Sequence, residues 1–216
     1  TFRKHLIHPH ELAEQACHIE LDILKEPIGK QDQYIAAYGG ITCFEFAKDG
    51  SVTAAPLVIS EETLFNLEDN LLLFFTGYSR PAAAVLKDQD DRCSRADPEM
   101  TDNLHFVKEL AFSTKRSLEN ADLPEFGRLM NVHWEYKKRR SIGMTNPRID
   151  EWYNCALSNG ASGGKLIGAG GGGFVVFFVA PERQPAVKAA LPGLIHVPFR
   201  FEWAGSQIVL YQPNGL

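Results

Sequence analysis

The chain has 216 residues, of which 44% are hydrophobic and 23% are charged, a composition typical of a globular protein with one large or two small domains. Its formal net charge of −5 argues against nucleic-acid binding, and no hydrophobic run reaches the roughly 18 residues of a membrane-spanning helix. The four cysteines lie far apart without C-x-x-C spacing, which argues against a disulfide scaffold and a zinc site and predicts free thiols in the cytoplasm.

The first 59 residues predict a helix, a polar segment and a β-hairpin. Apolar residues at helical spacing indicate a helix over residues 9–25, and Pro9 suits its first turn. The polar stretch 29–40 enters a short helical turn and closes on two glycines. Alternating hydrophobicity over residues 41–46 then predicts a strand that pairs with residues 52–59.

The rest of the chain predicts further helices and strands around a glycine-rich segment. In chain order these are a strand at 71–75, helices at 79–86, 97–118, 122–139 and 149–157, a strand at 174–179, a helix at 182–191 and strands at 195–202 and 207–212. This order predicts an α+β fold, with an α/β sandwich of helices on a mostly antiparallel sheet. We place a domain boundary after residue 69, which divides the chain into 1–69 and 70–216.

Residues 163–173 contain seven glycines, and an apolar run follows directly. Consecutive glycines cost backbone entropy, so they serve a conformation or a close approach that a Cβ would block. A strand follows these glycines, which disfavours a dinucleotide-binding turn, and Leu166 stands where a P-loop needs Ser or Thr. The segment therefore predicts a loop of exposed N–H groups that lines a phosphorylated ligand, with a flexible hairpin as the alternative.

Two carboxylates are candidates for chemistry in the first part of the chain. Asp32 lies near a helix N-terminus, where the helix dipole favours an ionised carboxylate that accepts a proton, although a helix-capping role is the alternative. Glu20, twelve residues earlier, offers the hard oxygen ligand that Mg²⁺ prefers, although exposed helix carboxylates are common.

Several basic residues lie where a phosphate could bind. Lys30, Arg80 and Lys165 each adjoin a glycine or a strand end, and each is either a phosphate ligand or a solvated surface charge. The pattern favours a core role over metal binding for His133. The basic run at 137–140 is interpreted as a solvated helix end.

Three segments together resemble successive motifs of the GHMP small-molecule kinases, namely residues 29–40, 76–80 and 164–173. They are most similar to the heptose 7-phosphate kinase type, while the pair Asp32-Gln33 also resembles galactokinase-like members. The resemblance implies a GHMP-kinase-like fold, with the remnant of an N-terminal domain before the C-terminal domain. No glycine- and serine-rich ATP loop precedes Glu20, so we expect either a fragment of a longer kinase or a truncated relative.

The resemblance implies ATP- and Mg²⁺-dependent phosphorylation of a sugar or sugar phosphate, chiefly D-glycero-D-manno-heptose 7-phosphate at its anomeric hydroxyl. Asp32 matches the catalytic aspartate of the family, and Glu20 matches its magnesium-binding glutamate. The other residues expected to contact substrate or phosphate are Lys30, Gln33, Tyr38, Gly39, Thr76, Gly77, Arg80, Lys165, Gly168, Gly170, Gly171 and Gly172.

Two other functions stay open at this point. One is another sugar kinase of the family, similar to galactokinases or fucokinases. The other is a non-catalytic sugar-binding fragment without a nucleotide site. In each case the expected partners are small molecules, and a homodimer is an open alternative to a monomer.

Overall fold

The computed structural model describes residues 7–77, 82–141, 143–168 and 170–208, which form two compact units. The first unit contains the residues up to Leu57 together with those that follow Arg200, and the second runs from Val58 to Arg200. None of the helices in the described part of the chain has the length and apolar character that a membrane span requires.

The first unit packs two helices against a hairpin. Its elements are α1 (Pro9–Cys17), a π-helix (His18–Ile23), α2 (Gln31–Tyr38), β1 (Thr42–Phe46) and β2 (Val52–Pro56). The two strands pair antiparallel, as predicted. Ala13 and Tyr34, both 0% exposed, lie at the centre of a small core between α1 and α2. The single helix predicted over residues 9–25 is wrong in detail, because α1 continues as a π-helix.

The second unit places helices on a four-stranded sheet. Its helices are α3 (Glu61–Asp69), α4 (Ala82–Ser94), α5 (Pro98–Glu119), α6 (Leu123–Lys138), α7 (Pro147–Ser158), a 3₁₀ turn (Pro181–Arg183) and α8 (Gln184–Ala190). Its strands are β3 (Leu71–Phe75), β4 (Ala161–Leu166), β5 (Phe174–Val179) and β6 (Ile195–His196). The strand order is β4-β5-β3-β6, and every pair is antiparallel, which confirms the predicted α+β fold.

The core of the second unit lies between the sheet and helices α6 and α7. Phe177 on β5 and Trp134 on α6 are 0% exposed, and Tyr153 of α7 packs near both. Helix N-terminal caps fix where the core helices begin. Asp122 accepts the backbone N–H of Glu125 at the start of α6, as expected of an aspartate at a cap position.

The end of the sheet differs from its prediction. The strand predicted at 195–202 is limited to Ile195–His196, although Val197 N still donates to the carbonyl of Leu73 at 2.8 Å. Most of the strand predicted at 207–212 lies outside the described residues.

Helix α3, which was not predicted, belongs with the second unit. Gln184 of that unit donates to the carbonyl of Asp69 at the end of α3, at 2.6 Å. Packing therefore places the division of the chain between residues 57 and 58, whereas the sequence placed it after residue 69. The correspondence of 1–69 and 70–216 to two family domains stays a prediction.

Helix α6 lies directly against strand β4 because glycines leave room for it. A Cβ on Gly163 would meet the carbonyl oxygen of Gly127 and would lie 2.7 Å from the backbone nitrogen of Asn131. A Cβ on Gly127 would lie 2.6 Å from the ring of Phe178. Helix and strand backbones therefore approach as closely as main-chain atoms allow.

We predict that Gly163→Ala destabilises the protein by about 1–3 kcal/mol, the usual cost of overpacking a close-packed contact. Urea unfolding measures the change. Gly29→Ala is the matched control, because no atom lies within 4 Å of the Cβ that it would add. Equal stabilities of the two variants would contradict the close approach of α6 to β4.

Candidate functional site

The glycine-rich segment is part strand and part loop, which corrects the prediction of a loop throughout. Residues up to Leu166 belong to β4 and pair with β5. Gly168, Gly170 and Gly171 then have positive φ angles of 81°, 111° and 76°. Residues with a Cβ rarely adopt these angles, so the path of the backbone itself requires glycine here. We call residues 167–173 the glycine loop.

Groups outside the glycine loop hold it in place. The Nζ of Lys137 on α6 donates to the carbonyl of Leu166 at 3.1 Å and to that of Gly168 at 2.6 Å. The backbone nitrogen of Gly171 donates to the carbonyl of Met144 at 2.9 Å. Because these hydrogen bonds hold the loop at several points, the alternative of a freely flexible hairpin is wrong.

The middle of the glycine loop is buried. Gly170, Gly171 and Gly172 are all buried, and a Cβ on Gly170 would collide with the side chain of Met144. The prediction of exposed N–H groups is therefore wrong for Gly171, whose N–H is used by Met144. Ala169 lies outside the described residues.

Thr76, a predicted site residue that directly follows strand β3, contacts this loop. The backbone nitrogen and the hydroxyl of Thr76 both donate to the carbonyl of Gly173 at 2.9 Å. Thr76 is buried, and Gly77 follows with φ 74° and open space where its Cβ would be. Arg80 lies outside the described residues, so its predicted contact with substrate stays a prediction.

Four basic side chains interact where α6 runs past the end of β4. They are Lys165 on β4, His133 and Lys137 on α6, and Arg140 just beyond α6, and we call them the basic cluster. Burial lowers the pKa of Lys165, and the charge of Arg140 lowers it further. Burial, together with the charges of Lys165, Arg140 and Lys137, lowers the pKa of His133 to about 3. The imidazole of His133 is therefore neutral at physiological pH.

The interpretation of residues 137–140 as a solvated helix end is wrong for two of them. Lys137 is 9% exposed, and its ammonium donates to the carbonyl of Gly168 in the glycine loop instead of lying in solvent. Arg140 is partly buried, and its Nε donates to Oδ1 of Asn103 on α5 at 3.0 Å. The signal for this in the sequence is the i, i+4, i+7 spacing of His133, Lys137 and Arg140, which places them on one side of a helix.

In the first unit, Asp32 lies inside the first turn of α2 and is exposed. The N-cap residue of α2 is Lys30, so the alternative of Asp32 as the helix cap is wrong. Within the described part of the chain Asp32 has no hydrogen-bond partner. Its carboxylate is therefore available to a ligand, at a helix end that favours negative charge.

Glu20 and Gln33, two predicted site residues, contact each other. The Nε2 of Gln33 donates to Oε2 of Glu20 at 2.6 Å. The Oε1 of Gln33 is buried and has no partner within the described residues. Glu20 lies on the π-helix, a geometry that is frequent at functional sites. The contact fixes the direction of one carboxylate oxygen of Glu20.

Lys30 is engaged with an acidic residue. Its Nζ lies 3.0 Å from Oε1 of Glu14, an oxygen that also accepts the hydroxyl of Tyr34. The hydrogen bond from Tyr34, with a further contribution from Lys30, lowers the pKa of Glu14 despite partial burial. Lys30 therefore organises the α1–α2 contact in this structure, and a role in phosphate binding stays a prediction.

The last two predicted residues of the first unit lie at the end of α2. The ring of Tyr38 stacks on that of Tyr34, with centroids 6.2 Å apart. Gly39 has φ 70°, and a Cβ there would lie 2.9 Å from the Cα of Gly205. Gly39 is thus required for a close backbone approach, while its contact with substrate stays a prediction.

The candidate magnesium ligand is a single carboxylate. Among the residues that the structure describes, no three His, Cys, Asp or Glu side chains come together as a metal site would require. Magnesium in nucleotide sites takes one or two protein carboxylates and fills its other positions with water and phosphate oxygens. One oriented carboxylate at Glu20 is compatible with that chemistry.

Comparison with known families identifies the part of the second unit that contains the glycine loop. Residues 114–194 match the family model for the GHMP kinases C terminal domain. The chain carries a GHMP kinase C-terminal domain. The matched range extends from α5 to the residue before β6 and includes the whole glycine loop and the basic cluster. The resemblance to the GHMP kinases is confirmed, and of the three sequence motifs the matched range contains residues 164–173.

Individual relatives agree with the GHMP assignment. The D-glycero-alpha-D-manno-heptose 7-phosphate kinase of Campylobacter jejuni is 33% identical over 182 residues, which cover 84% of this chain and 53% of that protein. A bifunctional fucokinase/GDP-fucose pyrophosphorylase of Arabidopsis thaliana is 32% identical over 149 residues, covering 68% of this chain and 14% of that protein.

A solved structure shows the same GHMP-kinase-like fold. The crystal structure of a D-glycero-D-manno-heptose 1-phosphate kinase from Bacteroides thetaiotaomicron superposes with a TM-score of 0.69 and 29% identity, covering 94% of this chain and 56% of that one. This chain thus spans about half the length of the heptose kinases that it matches.

We predict that acid destabilises this protein partly through His133. Its pKa falls from 6.5 to about 3 on folding, so the unfolded state binds the extra proton between these values. The free energy of unfolding should therefore decrease as pH falls from 6.5 toward 3, and His133→Asn should make that decrease shallower. Urea unfolding across the pH range measures both. His105→Asn is the control, because His105 is exposed. If the free energy of unfolding changes with pH equally in His133→Asn and in wild type, the burial of a neutral imidazole at His133 is contradicted.

Proposed function

We propose that this protein transfers the γ-phosphoryl group of ATP to a hydroxyl of a sugar or sugar phosphate. The observation that carries the proposal is the GHMP glycine loop, fixed by Lys137 and Met144 next to a basic cluster. Phosphoryl transfer needs mainly alignment and neutralisation of phosphate charge. A glycine backbone lets a phosphate approach closely and be aligned, and the basic groups beside it can neutralise the phosphate charge.

Asp32 is the proposed proton acceptor. Its carboxylate is exposed at the start of α2 and has no competing hydrogen-bond partner among the described residues. A carboxylate in that situation can orient a sugar hydroxyl and accept its proton as the bond to phosphorus forms. The proton thus moves from the sugar hydroxyl to a carboxylate oxygen of Asp32.

Glu20 is the proposed protein ligand of Mg²⁺. Gln33 fixes one of its carboxylate oxygens, which leaves the other for the metal. Bound Mg²⁺ would supply neutralisation of the charge on the ATP phosphates. Thr76, Gly77, Arg80 and Lys165 are assigned to the substrate and phosphate side of the reaction.

D-glycero-D-manno-heptose 7-phosphate is the proposed acceptor, phosphorylated at its anomeric hydroxyl. Similarity to the Campylobacter jejuni heptose 7-phosphate kinase over 84% of the chain supports this choice. We further place the enzyme in the cytoplasm, where both sugar phosphate and ATP are available.

We predict that Asp32→Asn lowers kcat by about 10²–10⁴-fold, the usual effect of removing a general base. ATP-dependent phosphorylation of the heptose phosphate is the assay. Glu45→Gln is the matched control, because Glu45 is another exposed carboxylate of the same unit and lies on strand β1. If Asp32→Asn retains a kcat within a few-fold of wild type, the assigned role is wrong.

A fucokinase activity is the second candidate, favoured by the 32% identity with the plant fucokinase over 68% of the chain. A panel of heptose 7-phosphate, fucose and galactose separates the two through kcat/KM. The non-catalytic alternative is tested by calorimetry, since sugar binding without ATP-Mg²⁺ binding would favour it over both kinases.

A further inference from the structure

Two members of the basic cluster have no acidic partner among the residues that the structure describes. Within the described part of the chain, no carboxylate forms an ion pair with Lys165 or Arg140. The Nε of Arg140 is used by Asn103, but its Nη2 is buried and has no hydrogen-bond partner among the described residues. A buried positive charge without a counter-ion is costly, so the fold keeps an unfavourable arrangement here.

Other basic side chains of the same unit do have acidic partners. Such pairs are Arg92 with Asp97 at 2.7 Å, Arg128 with Glu125 at 2.6 Å and Lys138 with Glu135 at 2.7 Å. Acidic residues also outnumber basic ones in the sequence, 27 to 22. A lack of available carboxylates therefore does not explain the unpaired cations.

The helix dipole accounts for only part of the cluster. Lys137 and Arg140 lie at the carboxyl end of α6, where a positive charge is stabilised by helix carbonyls. Lys165 lies on a strand, and the dipole of α6 gives no reason for its position. It follows Gly163 and Gly164 along β4, where the close approach of α6 confines the space around the strand.

We infer that Lys165, Arg140 and His133 form a binding site for a dianionic phosphate group. Lys165 and the free Nη2 of Arg140 supply charge-assisted donors, and a ring N–H of His133 supplies a neutral one. The phosphate neutralises the two cations and gives the buried Nη2 a partner. The inference rests on the proposed function for the source of this group, which is either the phosphate on the acceptor sugar or a phosphate of the nucleotide.

Inorganic phosphate is the probe that tests the site. Calorimetry with the complete chain should show phosphate binding that Lys165→Met weakens by about tenfold or more, as expected when a charge-assisted hydrogen bond is lost. Phosphate should also raise the melting temperature of wild type beyond the effect of chloride at equal ionic strength. Lys138→Met is the matched control, because Lys138 lies at the end of α6, next to Lys137 of the basic cluster, but is paired with Glu135.

A second measurement protects the test against an unfolded variant. The ring ¹⁵N resonances of His133 in the wild-type protein should shift on addition of phosphate, while those of the exposed His105 stay in place. Binding of equal strength in wild type and Lys165→Met, or no shift of the His133 resonances, overturns the inference. Binding no stronger than that of chloride does the same.

Competition identifies the source of the phosphate. A sugar phosphate that displaces inorganic phosphate, when the free sugar does not, assigns the site to the acceptor, whereas displacement by a non-hydrolysable ATP analogue assigns it to the nucleotide. The inference and the proposed function fail separately. Kinase activity without phosphate binding at Lys165 rejects only the inference, and phosphate binding with a fully active Asp32→Asn rejects only the proposed role of Asp32.

Discussion

The contact between α6 and β4 determines the arrangement of the second unit. At Gly163 the strand has no side chain, and the backbone of α6 lies against it at Gly127 and Asn131. A larger residue at this point would separate the helix from the sheet, since packed interiors have no spare volume. This contact therefore fixes the position of α6 relative to the end of β4. The position of the helix in turn determines which of its side chains reach the glycine loop that follows the strand.

Lys137 is the side chain that connects this packing to the chemistry. It is buried, and it donates to the carbonyls of Leu166 and Gly168 on either side of the turn out of β4. One turn earlier and one turn later, His133 and Arg140 join Lys165 to complete the basic cluster. The ammonium of Lys137 thus holds the glycine loop, while Lys165 and Arg140 beside it are the cations that we infer bind a phosphate. A loop with this support is preorganised for phosphate, which lowers the cost of binding.

The sequence predicted the α+β class, most helices and the family from local patterns, because turn residues and hydrophobic periodicity are local. It missed β4, since Gly163 and Gly164 have low strand propensity and are paired only through β5. It also misjudged Lys137 and Arg140, because a basic run at a helix end has the same sequence whether solvent or a loop faces it. The sequence singled out Asp32 as the candidate catalytic residue, which stays a prediction. That Asp32 has no hydrogen-bond partner among the described residues is a property of the folded unit, which the sequence does not show.

Hydrogen exchange at the glycine loop tests the central claim, which is that Lys137 holds this loop against α6. The variant Lys137→Met keeps the buried stem and removes the donor, and a hydrogen bond from a charged group contributes about 1.5–3 kcal/mol. The account predicts that the amide of Gly171, which donates to Met144, exchanges about tenfold or more faster in the variant, with amides of β5 unchanged. Unchanged exchange at Gly171 in a folded Lys137→Met variant would contradict it.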